Sequence, residues 1–265
     1  MFGFPKKDRE GGFQYQRNFL RSVILRIDYP QSREIVDRKD TFKDAFKDLF
    51  PNSSDIVDAQ GVLRFEDKTP IFEPQSSSEQ GTELKSKDLQ ENLKVTDTFT
   101  AYTISGNVYT NFEKAFSVIE QVFKTWHDST VQIEEINRIA VRKTNIIDFT
   151  IAEGATIMNA ISSMFNNALN KSILELPNNN TVDSYNQTIV YSDSPYKLNL
   201  NYGYRKGADQ NNWNAIIDID VFNEEPLDNS EVSSVESEFL KINKAVFDVF
   251  HWSLQGSLID ELNRE

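Results

Sequence analysis

Apolar residues recur along this chain at two spacings, and blocks of one spacing alternate with blocks of the other. From Arg17 to Tyr29, Phe19, Val23, Leu25 and Ile27 fall on roughly one face of an extended segment, which predicts a strand ending at Pro30. Thr41–Phe50 changes period: Phe42, Ala45, Phe46, Leu49 and Phe50 share a helical face behind Asp40 as N-cap, and Pro51 stops the helix. Val62–Glu66 reads as a brief strand. Residues 67–92 then run through polar clusters, Pro70, Pro74 and a Ser triplet, which predicts a mobile connection or an extended excursion. Leu93–Ser105 alternates again. It is followed by a helix whose stripe is Phe112, Phe116, Ile119 and Phe123 and whose start carries Thr110-x-x-Glu113, the pattern of a capping box.

The second half follows the same order. Val131–Phe149 is predicted as strand and Thr156–Leu169 as helix, with strands at Thr188–Ser192, Lys197–Tyr204 and Asn214–Phe222. Ser233-x-x-Glu236 offers a further capping box to a long final helix. Tight connections between strands imply antiparallel pairing. The expected class is therefore α+β, antiparallel sheets with packed helices, arranged as a tandem duplication of a β-α-β-β-α unit that ends in a long C-terminal helix. The seam falls near Asp128-Ser129-Thr130, giving an N-terminal half over 1–128 and a C-terminal half over 129–265.

Composition narrows the function classes. The 265 residues carry a formal net charge of -13, which disfavours a general attraction to nucleic acid or an anionic membrane. There is no cysteine, so disulfides, thiolate nucleophiles and cysteine metal sites are excluded together, in keeping with a reducing compartment. No window approaches the ~18 apolar residues of a membrane span, and the N-terminal stretch lacks a secretory apolar run. The expectation is a cytoplasmic protein with no membrane association.

Three segments carry a resemblance. INRIAVRKTNIIDF at Ile136–Phe149, AIIDIDVFNEE and FLKINKAVFDVFHWSLQGSLIDEL, in that order and at those separations, are similar to an uncharacterised, sporadically distributed prokaryotic protein family of comparable length. Arg138, Arg142, Asn145 and Ile146 match that family's pattern, whereas Lys143 stands where it usually has an aromatic residue. The resemblance implies a shared architecture and a bacterial origin. Sporadic distribution is compatible with a defence or toxin-neutralising module, and no activity comes with it.

Candidate chemistry is sparse. Arg138 and Arg142 fall on one face of a strand together with Glu134 and Asp148, while Ile139, Val141, Ile147 and Phe149 fall on the other. The plainer account pairs the arginines with carboxylates on neighbouring strands. The functional account gives Arg138, Arg142 and Lys143 to an anionic ligand, a partner or nucleic acid. Asp218 and Asp220, with Glu224 beyond them, could hold a divalent cation for a metal-dependent hydrolase, yet alternation with Ile217, Ile219 and Val221 accounts equally for a wet strand face. Only His127 and His251 supply imidazole, and no nucleotide-binding, zinc-protease or serine-hydrolase motif occurs. No cofactor is expected.

Val232–Leu262 as one helix would run ~46 Å, and its apolar stripe drifts so that Trp252 and Ile259 leave the side held by Phe250. That helix is the predicted surface for a protein partner or for self-association. The expected function is a non-enzymatic binding or regulatory protein acting through protein contacts.

Overall fold

The structure, a computed structural model, describes residues 1–6, 18–66, 69–208, 212–227 and 231–262, and between 59 and 77 it describes the backbone alone. The chain folds as β1 (Leu20–Asp28), α1 (Arg33–Asp37), α2 (Lys39–Phe46), β2 (Asn52–Glu66), β3 (Thr69–Lys85), β4 (Glu91–Thr96), β5 (Phe99–Ser105) and α3 (Phe112–Asp128). It continues with β6 (Arg138–Thr150), α4 (Ile157–Met164), α5 (Asn167–Leu174), a short 3-10 turn, β7 (Ser184–Asp193), β8 (Tyr196–Lys206), β9 (Asn212–Asn223), α6 (Val232–Ser253) and α7 (Gly256–Leu262).

All nine strands join one antiparallel sheet in the order β2-β3-β4-β5-β1-β6-β9-β8-β7. The first strand of each half meets the other at its centre. In the β1–β6 pair, Leu25 faces Val141 and Ile27 faces Ile139 on one side, while Arg26 faces Ala140 and Asp28 faces Arg138 on the other. Among the described residues, helices cover the first side only. Leu25, Ile27, Ile139 and Val141 are buried there with Leu198, Leu200, Ile217 and Ile219 under α3 and α6, and Phe116 of α3 meets Phe239 of α6 at a ring separation of 5.9 Å. Along β7 burial alternates strictly between exposed and half-buried positions from Ser184 to Tyr191, as expected of a sheet with one covered face.

The α+β class is as expected from the sequence, and several local expectations are corrected. Of the two alternatives for residues 67–92, the extended excursion fits: β3 (Thr69–Lys85) forms a long hairpin with β2, and β4 begins at Glu91. Because β3 pairs with β4 only over Gly81–Lys85, the rest of the hairpin extends past the sheet as a two-stranded ribbon. The ribbon departs at Gly81, whose φ of +157° and lack of Cβ admit the Val95 carbonyl. Leu93–Ser105 is not one strand but the β4–β5 hairpin, and Val131–Asn137 precedes the strand that begins at Arg138.

The two predicted long helices are both broken, and by the same contact. Phe165 and Leu254 adopt extended backbone angles and pair as an isolated antiparallel bridge, flanked by Asn166 N–H to the Ser253 carbonyl at 2.9 Å and Gln255 N–H to the Met164 carbonyl at 2.8 Å. The helix expected over Thr156–Leu169 therefore becomes α4 and α5, and the one expected over Val232–Leu262 becomes α6 and α7. Caps differ as well. Asp40 lies inside α2, Asn111 rather than Thr110 caps α3 by accepting from Lys114 N–H, and α6 begins after Glu231 without a side-chain cap. A capping box does occur at Thr156 and Asn159 of α4.

Below β8, the buried Tyr202 hydroxyl donates to Asn170 Oδ1 at 2.7 Å, and Asn170 Nδ2 donates to the Ile161 carbonyl at 3.3 Å. This fastens the broken α4–α5 pair to the sheet. Tyr202→Phe strands a fully buried acceptor and is expected to lower unfolding free energy by ~1–3 kcal/mol with the fold retained, measured by urea denaturation.

Candidate functional site: the open face of the sheet

The side of the sheet that faces away from the helices carries the charged residues singled out in the sequence, and register decides how they meet. Arg142 lies opposite Asp220, and Thr144 lies opposite Asp218. Arg142 therefore reaches Asp218 along the diagonal and makes a two-pronged contact, Nε to Oδ1 at 2.8 Å and Nη2 to Oδ2 at 2.7 Å. Thr144 Oγ1 donates to Asp218 Oδ1 at 3.0 Å, and Asn201 Nδ2 on β8 donates to Oδ2 at 3.2 Å. Asp218 is 5% exposed, so these four donors replace nearly all of its water.

Arg138 completes the ladder toward β1. Its guanidinium stands 3.4 Å from Asp28 and 3.7 Å from Asp220 and lies over the Phe222 ring at 4.3 Å. Arg26 repeats the arrangement on the other side, bonding Asp28 at 2.6 Å and lying over Phe99 at 4.2 Å. The result is two adjoining groups of paired charges on β1, β6 and β9, Arg26–Asp28–Arg138–Asp220 and Arg142–Asp218, flanked by Phe99 of β5 and Asn201 of β8. Every arginine in them already meets a carboxylate of its own chain.

Two neighbouring carboxyls respond oppositely to this setting. Burial pushes Asp218 up, but the hydrogen bonds and charge of Arg142, with Thr144 and Asn201, outweigh it and hold the carboxyl below its usual value. Burial also pushes Asp220 up, and there the charges of Arg138 and Arg142 and a hydrogen bond from Asn199 do not compensate, so its carboxyl sits above its usual value.

The other predicted residues do not converge on this face. Lys143 is on the helix-covered side, opposite Val23 and Ile219, with its amine 5.2 Å from the Tyr109 ring centre. It lines a cavity of about 500 Å³ between the start of α3 and α6, apart from Arg138 and Arg142. The three cations are thus not one site, because Lys143 is one strand position away from Arg142 and side chains alternate. Glu224 pairs with Lys197 at 2.5 Å rather than joining Asp218 and Asp220. Among the described residues no group of three or more His, Asp or Glu side chains could hold a metal ion. Asp218 offers its oxygens to Arg142, Thr144 and Asn201 instead.

Phe250, Trp252 and Ile259 also turn inward. Phe250 is buried, Trp252 is half-buried with an edge contact to Phe4 at 4.9 Å, and Ile259 packs against the core from α7. The change of side that made one helix look two-faced is taken up by the break at Leu254. His127 is exposed at the end of α3 beside Asp128. Sequence reasoning did not single out Arg26, Asp28 and Asn201; they alternate with apolar residues in β1 and β8, but only register across strands brings Asp28 to Arg138 and Asn201 to Asp218.

Asp218→Asn removes the charge that Arg142 pairs with, and a loss of ~1.5–3 kcal/mol in unfolding free energy is expected at neutral pH. A lowered folded-state pKa gives stability that is present above the unfolded carboxylate value of ~3.9 and disappears as pH falls through the folded value, so the two proteins converge in acid. Asp220→Asn has the opposite sign: its raised pKa makes the charged form a burden that grows as pH rises, so the variant is expected to match or exceed the parent at neutral pH. Denaturation series between pH 3 and 8 measure both. No protein-family model matches the chain, and no curated protein matches it.

Proposed function

We propose that this chain is a non-enzymatic protein that binds a protein partner on the open face of its sheet. The observation that carries the proposal is the uncovered side of a nine-stranded sheet whose arginines and aspartates are already paired with one another. Such a face has little charge left to attract a polyanion, and its mixture of paired charges, amides, hydroxyls and half-exposed apolar residues such as Ile24 and Ile216 is the composition of a polar protein interface. The net charge of -13 and the internal pairing of Arg138 and Arg142 weigh against nucleic acid. The donors on Asp218 weigh against a hydrolytic metal centre.

The same reading takes the family resemblance as a proposal: a bacterial protein of a sporadically distributed group, working in the cytoplasm in a defence or toxin-neutralising role. It also takes the two halves as a duplicated unit. In support, each half begins with a central strand, passes through a pair of short helices into a meander, pairs the last strand of the meander with that first strand and closes with a long helix.

Ile24→Glu puts a new carboxylate on the open face, opposite Arg142, whereas Lys124→Glu reverses a charge on the outer side of α3. A partner isolated with the tagged parent protein from its native host and then purified is expected to bind Ile24→Glu ~10-fold or more weakly and Lys124→Glu unchanged, by calorimetry. Equal affinities for both variants, or no partner above a mock purification, would overturn the proposal.

A further inference from the structure

The two edges of the sheet are built differently. β2 is an edge of the guarded kind: its pairing with β3 is interrupted by bulges at Ile56/Val57 and Gln60/Gly61, and its sequence carries Asp55, Asp58, Arg64 and Glu66. β7 has none of these devices. It pairs with β8 over ten consecutive residues without a register shift, and from Ser184 to Ser192 it contains no charged residue and no proline. Among the described residues no backbone group outside β8 bonds a backbone group of β7. Alternate N–H and C=O groups along it therefore point outward, as at any sheet edge.

Apolar surface gathers along the same edge. Val190 is 62% exposed on the open face. Tyr185, Ile189 and Tyr191 are only partly buried on the helix side, and Leu174 and Leu176 stand exposed on the segment leading from α5 toward β7. Gln187 Nε2 donates to the Leu169 carbonyl at 2.6 Å, which ties the strand to α5. From Ser184 to Ser192 this edge carries no charge, on a chain of net charge -13.

We propose that β7 pairs antiparallel with β7 of a second copy of this chain, continuing the sheet across a two-fold axis. Two features favour a second copy over an unrelated strand. An antiparallel edge meets itself under two-fold symmetry without any further fitting. A register centred on Thr188 sets Asn186 against Val190 and Ser184 against Ser192 on the open face, and Tyr185 against Tyr191, which Phe2 and Phe4 of its own chain also touch, on the helix side. No register within Ser184–Ser192 opposes like charges. That absence matters because two copies of so acidic a chain repel elsewhere, and only an uncharged seam lets them close. The pairing is distinct from the partner surface on the sheet face, and either can fail alone.

Sedimentation equilibrium of the full chain is expected to show a monomer–dimer equilibrium approaching twice 30.5 kDa, and the association tightens rather than weakens between ~20 mM and ~500 mM salt as the repulsion is screened. Val190→Lys is expected to weaken self-association ~10-fold or more with an unchanged circular dichroism spectrum, because a lysine at a strand edge opposes pairing. Val57→Lys on the opposite edge is expected to leave it unchanged. The chain has no cysteine, so Thr188→Cys treated with a short bis-maleimide is expected to give a covalent dimer and Ser54→Cys to give none. A monomeric mass up to ~200 µM at both salt concentrations, a dimer indifferent to Val190→Lys, or equal cross-linking from both cysteine variants overturns the proposal. So does a monomer whose β7 amides become protected only when a different protein binds.

Discussion

The antiparallel contact between β1 and β6 is the constraint on which the rest of the molecule depends. It joins strands that begin the two halves, and its register puts Leu25 and Ile27 beside Val141 and Ile139 on the helix side. A slip of one residue in either strand would send its two apolar side chains to the other face and bring its charged residues, Arg26 and Asp28 or Arg138 and Arg142, beneath the helices and away from their partners. Burial and charge pairing therefore specify the same register. Once it is set, the meanders on either side extend outward, and α3 and α6 have one continuous apolar floor to cover.

The open face is a consequence of covering only one side. Arginine pairs along it are half-exposed, and such pairs contribute modestly to stability one at a time. Their arrangement does more than their energy. Arg26 and Arg138 flank Asp28 and lie on Phe99 and Phe222, so four strands are stitched by contacts that work only in one register. The face is thus polar without being strongly attractive to ions of either sign, a different surface from the one that two arginines at alternate strand positions suggest when read alone.

How much of this was legible in the sequence depends on the range of the forces involved. Period-2 and period-3.6 patterns give the α+β class, most of β6 within the strand expected over Val131–Phe149, and the last three strands as segments, because those patterns arise within a single element. The preference for internal ion pairs at Arg138 and Arg142 was also readable from alternation. The long β2–β3 hairpin was not, since the sequence over 67–80 shows no apolar alternation. Nor were the breaks at Phe165 and Leu254: each lies in a sound helical stripe, and what breaks them is a bridge between residues 89 positions apart. Asp218 likewise meets Arg142 across 76 positions. Side-chain identity names the candidates in such cases, and only tertiary register selects among them.

Asp218 and Asp220 show what that selection costs. Both alternate with the same apolar residues and both lie near an arginine, yet one carboxyl is held down and the other is driven up. The difference is hydrogen bonding: Asp218 receives a two-pronged guanidinium, a hydroxyl and an amide, while Asp220 has Arg138 no nearer than 3.7 Å. An asparagine at position 220 would keep the contact with Asn199 and avoid the charge, so stability alone does not call for an aspartate there. A carboxylate kept at a disadvantage on an uncovered face marks where this fold gives up stability to surface chemistry. The place it marks lies between Arg138 and Arg142, at the middle of the face we assign to a partner.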